Sequence, residues 1–308
     1  MPSSICTLFE GHYHYGVGAM ANSLYRNGYR GDIWVGYRGA LPPWVGQTLA
    51  EERCSKVEVT AGLTLCFVPL NTDRHLTNFK AEFMQQLFAE QPEISGLFYV
   101  DPDITIRCEW SFFERWIGHG IALIQDITNG TMPADHPLRK EWIPFAASLG
   151  LIVRRDLSQY FNAGFLGVRR EYQSCLENWR VALDALPAKG IDLSRFMGAD
   201  RMNAFCATDQ DMLNLMAMVT EHPISTIGPE GMDFVPGGFT MSHPVGNPKP
   251  WRKVMMVSAL KGFRPSPGDH GYLQNAEGPI RLYTAGQLLW RKIDLLCGAA
   301  IGRLWNRA

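Results

Sequence analysis

Short apolar, β-rich runs alternate along this chain with longer stretches of helical periodicity. Residues 6–9 predict a first strand, 32–36 a second and 63–68 a third. Between 76 and 90, Phe79, Phe83, Leu87 and Phe88 recur at the spacing of an amphipathic helix. Residues 96–100 form an apolar run with no polar alternation, the pattern of a strand buried on both faces, and it ends at Asp101-Pro102-Asp103. Further strands are expected at 122–125 and 165–168, and further helices at 18–27, 171–185 and 210–219. Such alternation predicts an α/β fold, a mostly parallel central sheet flanked by helices.

Two regions break the pattern. Residues 128–144 hold three prolines and a glycine and are expected to form a loop or flap. Residues 234–251 hold Gly237, Gly238, Gly246 and prolines at 236, 244, 248 and 250, too long and punctuated for a simple connector, which marks a functional loop. There is no internal repeat and no low-complexity tract. The expectation is a single catalytic domain over 1–285, with a helical appendage over 286–308.

Composition narrows the classes. The 308 residues are 46% apolar and 19% charged, enough for a sizeable core and unlike a disordered chain. A formal net charge of -1 supplies no global field for nucleic acid, though a local nucleotide site needs none. Seven widely spaced cysteines without a Cys-x-x-Cys pair argue against a disulfide framework or a cysteine zinc site. They suit a reducing compartment. With no leader-like N-terminus and no run of ~18 apolar residues, the expected location is cytoplasmic, with any membrane contact peripheral and on the inner face.

The candidate chemistry lies at the punctuated ends. Ligands of open α/β sheets sit at the carboxyl ends of strands. Asp101 and Asp103 stand there, and a carboxylate pair can hold Mg²⁺ or Mn²⁺. A solvated turn is the alternative, since Asp and Pro are common turn formers. The late loop reads His243-Pro244-Val245-Gly246-Asn247-Pro248-Lys249-Pro250-Trp251. It offers an imidazole ligand, a glycine that lets backbone approach a phosphate, and a lysine charge.

With these residues the chain resembles retaining nucleotide-sugar glycosyltransferases of the GT-A fold, in particular glycosyltransferase family 8. The family's His-x-x-Gly-x-x-Lys-Pro-Trp segment is matched at every fixed position from His243 to Trp251, and its Asp-x-Asp by Asp101 and Asp103. Phe161-Asn162-Ala163-Gly164 resembles its Phe-Asn-Ala/Ser-Gly segment, and Asp209-Gln210-Asp211 its Asp-Gln-Asp. The matches keep the family's order and cover residues 4–251. The resemblance implies a GT-A-like domain in which Asp101, Asp103 and His243 hold Mn²⁺ or Mg²⁺ against the donor diphosphate. Gly246 and Lys249 would contact the phosphates. Asn162, Ala163, Gly164 and Asp209 would line the donor sugar, with Gln210 beneath its anomeric carbon. Leu8, Phe9 and Tyr13 would hold the nucleobase, Tyr13 by stacking.

The implied reaction moves a hexose or N-acetylhexosamine from a UDP-sugar to a glycan or lipid-linked oligosaccharide, with retention. A cation and a lysine at the leaving diphosphate suit that chemistry, because negative charge develops there as the bond breaks. The chain also departs from the pattern. Glu10-Gly11-His12-Tyr13 replaces a closer acidic–tyrosine pair, Pro102 is an unusual middle residue, and the upstream basic residue is either Arg74 or Lys80. Asp126, at a strand end before the irregular 128–144 stretch, is the acceptor-side candidate.

Rival readings remain. Gly16-Val17-Gly18-Ala19-Met20-Ala21 fits a dinucleotide fingerprint and would make the chain an NAD(P)-dependent oxidoreductase using the Gly16/Gly18 turn. Six residues separate it from the first strand, where that fingerprint starts almost at once. A non-catalytic nucleotide-sugar-binding module is a third reading. His12 and His14 form either a metal pair or a polar substrate-facing loop, and Asp209 and Asp211 can also satisfy helix N-terminal amides. The tail over 287–308 carries Arg291, Lys292, Arg303 and Arg307 against Asp294, a net of +3. Leu289, Ile293, Leu296 and Ala300 follow helical spacing there, with Trp290 and Trp305 flanking. It is either an interfacial helix on an anionic membrane or a terminal helix packed on the domain.

Overall fold

The first apolar run becomes β1 (Ser3–Glu10), which passes through a short 3-10 turn into α1 (His14–Arg26) and then β2 (Gly31–Arg38). The computed structural model describes residues 3–46, 49–50, 53–129, 131–198 and 200–305, without the side chains of Ala50 and Trp305. Arg307 and the Trp305 ring, both counted in the tail pattern, therefore lie outside the described residues. A meander of β3 (Leu49–Ala50), β4 (Ser55–Thr60) and β5 (Leu63–Pro69) leads to α2 (Lys80–Glu90) and the apolar β6 (Gly96–Val100). After it come β7 (Thr105–Ile106), α3 (Trp110–Trp116), β8 (Ile121–Ile124), α4 (Pro137–Ser148) and β9 (Phe165–Arg169). The chain continues with α5 (Ser174–Ala185), α6 (Thr208–Val219), β10 (Ile224–Ile227) and β11 (Met241–Ser242). It closes with α7 (Met255–Leu260), α8 (Pro267–Gln274) and α9 (Ala285–Trp305).

The main sheet has the order β10-β8-β9-β6-β1-β2-β5-β4-β3. β1 pairs in parallel with β2 and β6, β2 with β5, and β10 with β8. β9 runs antiparallel between β6 and β8, and β4 runs antiparallel to β5 at the edge. The result is the mostly parallel α/β sheet expected from the sequence. Side chains of a strand point alternately to the two faces of the sheet. Leu97 and Tyr99 of β6 accordingly enter one core with α2, α5 and α6, while Phe98 and Val100 enter the other with α1 and α3. Both faces are covered, which is why the run carries no polar alternation.

The structure corrects two expectations. The second half of the stretch read as a loop over 128–144 is helical from Pro137. Pro137 stands in the first turn, where the missing N–H would find no intrahelical partner anyway. The His136 ring caps that turn by accepting from the Leu138 amide (3.3 Å). Buried Trp142 and Arg139 anchor the helix inward. The second correction concerns Gly16 and Gly18, which are no turn but buried positions inside α1. A Cβ on Gly16 would lie 2.3 Å from the Pro102 carbonyl oxygen, and one on Gly18 2.5 Å from the Leu282 side chain. Both glycines are there for close helix packing.

The punctuated late loop is tied down at one point. Met241 and Ser242 pair antiparallel with Ile106 and Thr105, so β11 lies on the segment that leaves the Asp101–Asp103 turn. At the C-terminus α9 packs on α7. Among the described residues no helix is long and apolar enough to cross a membrane.

Candidate metal and donor site

Asp101 leaves β6 in a tight turn. Its amide donates to the Gly164 carbonyl (2.7 Å), and the Ile104 amide donates back to its own carbonyl (3.0 Å). Four residues after Asp101, β7 begins and pairs with β11, which delivers His243 directly after Ser242. Asp101, Asp103 and His243 thereby present ligand atoms that all lie within 4.8 Å of one another. Two ligands on one ion at bonds of ~2.1 Å can be about 4.2 Å apart, so an adjustment below about an ångström would close the set. The donors, two carboxylates and an imidazole, suit Mn²⁺ or Mg²⁺. His243 Nε2 stands 3.4 Å from Asp103 Oδ1, and its buried Nδ1 has no hydrogen-bond partner. Gly164 keeps the centre open, because a Cβ there would lie 3.0 Å from Asp101 Oδ2 and 3.1 Å from His243 Cε1.

Each carboxylate spends its other oxygen on a lysine. Lys80, 2% exposed, reaches Asp101 Oδ1 (3.1 Å) and Asp209 Oδ2 (3.0 Å) and donates to the Ala163 carbonyl (2.9 Å). Its three N–H donors are therefore matched by three acceptors. Burial opposes its charge, but Asp101 and Asp209 outweigh burial and raise its pKa. The Tyr99 hydroxyl also donates to Asp101 Oδ1 (2.9 Å). Lys249 stands 2.6 Å from Asp103 Oδ2 and donates to the Pro244 carbonyl (3.0 Å). Burial opposes ionisation of Asp103, yet His243 and Lys249 hold its carboxyl well below the usual range. Three carboxylates against two ammoniums leave this cluster at −1 before His243 is counted. A divalent cation would turn that to +1, the sign an anionic diphosphate needs.

The choice between Arg74 and Lys80 is thus resolved. Arg74 pairs with Asp184 (2.7 Å) and Glu82 (3.9 Å), away from the acidic turn. Lys80, at the head of α2, is the interior cation.

The remaining predicted residues fall into two groups. Around Gly164, the Asn162 Oδ1 accepts from the Gly164 amide (2.8 Å) and Gln210 Oε1 from the Ala163 amide (3.1 Å). Both side-chain amides then donate to Asp126 Oδ2, Gln210 at 3.4 Å. Asp126 is 3% exposed and also accepts from the Thr128 amide. It underpins Asn162 and Gln210 from within. Asp209 is buried beside Lys80, and burial raises its pKa against that cation. Asp211, also buried, accepts from the Tyr160 hydroxyl (2.7 Å) and the Ala207 amide (2.8 Å), and burial pushes its carboxyl up to about 7.

At the end of β1, the side chains of Leu8 and Phe9 are buried in the two cores, so they leave only backbone to a ligand. Tyr13 is half-buried and packs edge-on against Trp251 at 5.2 Å. Burial raises its hydroxyl pKa, and Lys249, Asp103 and Asp101 are near enough to act on it. Gly246 is exposed with φ +80° and open space around its missing Cβ, so its backbone conformation, not room, requires glycine. His12 and His14 face each other at 6.5 Å but belong to no three-ligand group among the described residues. Sequence reasoning missed Tyr99 altogether; its signal was a polar tip two residues before Asp101 on an otherwise apolar strand.

No protein-family model matches this chain, and no curated protein does. Among solved structures it is similar to the apo structure of WbbM, a bifunctional glycosyltransferase, with a TM-score of 0.54 at 15% identity. The match covers 94% of this chain and 51% of that one, so the chain spans about half the length of the structure it resembles. Likeness at that identity speaks for the fold, which is that of a glycosyltransferase.

Proposed function

We propose that the chain is a metal-dependent glycosyltransferase that uses a UDP-sugar donor. The observation that carries this reading is the convergence of Asp101, Asp103 and His243, two lysine-backed carboxylates and an imidazole, at the carboxyl end of β6 on a glycosyltransferase fold. Mn²⁺ or Mg²⁺ held by these three residues would supply a Lewis-acid charge at the donor diphosphate. Lys249, already beside Asp103, adds a second positive charge for the leaving group. Asp126 fixes the side chains of Asn162 and Gln210 beside the Ala163–Gly164 backbone, and Gln210 would present a dipole beneath the anomeric carbon. Lys80 pairs with Asp101 and Asp209 in the interior and ties the acidic turn to the Ala163 backbone.

The finer assignment follows from the motif order described above. It makes the enzyme retaining and similar to family 8, and lets it deliver a hexose or N-acetylhexosamine to a glycan or lipid-linked oligosaccharide. We assign it a reducing, cytoplasmic setting, where thiols stay reduced. The oxidoreductase reading loses its support, because Gly16 and Gly18 lie inside α1. Turnover separates an enzyme from a silent binding module.

A panel of UDP-sugars with Mn²⁺ should give slow donor hydrolysis without acceptor. UDP should raise the melting temperature only when Mn²⁺ is present. If no nucleoside diphosphate binds, with or without metal, the proposal fails.

A further inference from the structure

A histidine that ligates a metal normally donates its second ring N–H to a carboxylate or carbonyl, which fixes the plane of the imidazole. In His243 that restraint is missing. Its Nε2 faces Asp103 (3.4 Å), and its buried Nδ1 has no hydrogen-bond partner. What holds the residue is the segment that follows β10. The His243 amide donates to the Met232 carbonyl (3.2 Å), and the Phe234 ring packs on the imidazole with centroids 5.7 Å apart. Between those two residues stands Asp233. Its φ is +58°, and it is the one residue other than glycine with a positive φ among the described residues. It ends the 3-10 turn Pro229–Met232 in the left-handed conformation, a position that glycine fills without strain. Aspartate tolerates that conformation but does not prefer it. An aspartate kept there points to a task for its side chain.

The partners of that side chain say what the task is. The Asp233 side chain is 7% exposed. Its carboxylate accepts from the Ser242 hydroxyl and from Arg107 Nη1. Ser242 ends β11 immediately before His243, and Arg107 follows Ile106 at the end of β7. One carboxylate therefore clamps both short strands of the ligand set, β7 coming from the Asp101–Asp103 turn and β11 leading into His243. Backbone bonds tighten the same knot. The Arg107 amide donates to the Thr240 carbonyl (2.9 Å), and the Thr240 hydroxyl donates to the Gly231 carbonyl. The turn at Asp233 sets the Met232 carbonyl and the Phe234 ring against His243 while its carboxylate holds Ser242. We propose that Asp233 is the positioning residue for His243, holding the imidazole toward the acidic turn before any cation arrives. Arg107 is exposed, so water screens its ion pair, and the bond to buried Ser242 is the stronger restraint. The inference rests on the metal site proposed above.

The probe is Mn²⁺ alone, titrated into the full chain without nucleotide and followed by the EPR signal of the free ion. Asp233→Gly removes the clamp but relieves the backbone, so the fold should persist by circular dichroism and thermal melting. It should weaken Mn²⁺ binding by about tenfold or more. Asp233→Asn keeps an acceptor for Ser242 and tolerates the same φ, and should stay within about threefold of the parent. Ser242→Ala removes the same bond from its other end and should match Asp233→Gly, so the test stands even where one variant does not fold. The rise in melting temperature that UDP gives with Mn²⁺ should shrink in the same order. The inference is overturned if Asp233→Gly and Ser242→Ala bind Mn²⁺ as well as the parent does. It is also overturned if Asp233→Asn falls as far as Asp233→Gly, since lost charge and not a lost clamp would then be the cause. A parent that binds no Mn²⁺ sinks the metal site together with this inference; a parent that binds it beside unaffected variants sinks the clamp alone.

Discussion

Two acidic turns of identical spacing meet at Lys80, and they are in opposite states. Asp101 and Asp103 close β6; Asp209 and Asp211 open α6. In the first turn, each carboxylate gives one oxygen to a lysine and keeps the other toward His243 and Gly164. In the second, Asp209 is paired in the interior, and both oxygens of Asp211 are taken by Tyr160 and Ala207. Residue type and spacing are the same. What separates a ligand set from a structural pair is how many donors each carboxylate has already accepted, and whether glycine or a side chain occupies the space before it.

The largest effect should come from the residue that joins the turns. Lys80→Met leaves Asp101 and Asp209 without their buried counter-ion, and should cost about 3–5 kcal/mol of stability, measured by urea unfolding. A smaller loss would mean that the two turns are not coupled through the lysine. Next, Asp103→Ala should lower metal-dependent donor hydrolysis by on the order of 10²-fold or more, because it removes a stabiliser of the developing charge. His243→Ala should weaken the Mn²⁺-dependent stabilisation by UDP with the fold intact. Asp211→Asn should leave turnover within a few-fold; an equal collapse there would erase the distinction between the turns.

Asp211 sharpens the comparison through pH. The folded state keeps its proton up to about pH 7, whereas the unfolded chain releases it near 3.8. Unfolding therefore releases a proton between those values, so stability falls as pH rises through the window and levels off above it. Between pH 6 and 8 the wild-type protein should lose about 1.4 kcal/mol from this group, and Asp211→Asn should not. Thermal unfolding across that range decides. The smallest effect is expected at the rival cation. Arg74→Ala breaks partly exposed pairs with Asp184 and Glu82 and should cost no more than about 1 kcal/mol, with turnover unchanged.

Much of the fold was legible because local pattern and burial agree. The apolar run of β6 and the helical spacing of α2 could hardly have been placed otherwise. The half-exposed β4 was missed because its side chains lack a strong alternation of burial. α4 was hidden by its prolines: Pro137 stands in the first turn, where no intrahelical bond is lost, and Pro144 stands inside the helix, which continues past it to Ser148. Gly16 and Gly18 misled in the same way: glycine marks a close approach of backbone, and the sequence does not say to what.

The sequence by itself determined the alternating architecture, the acidic turn at a strand end and the chemical character of the late loop, since each is written in neighbouring residues. Only the tertiary structure decided that β11 lies on β7 and so brings His243 to Asp103, that Lys80 and not Arg74 is the interior cation, and that Asp126 supports the amides from beneath. It also decided that α9 packs one apolar side and exposes another. The physical reason is common to all of these. Ligation, ion pairing and burial are set by distances of a few ångströms between residues far apart in the chain, and periodicity carries no information about those distances.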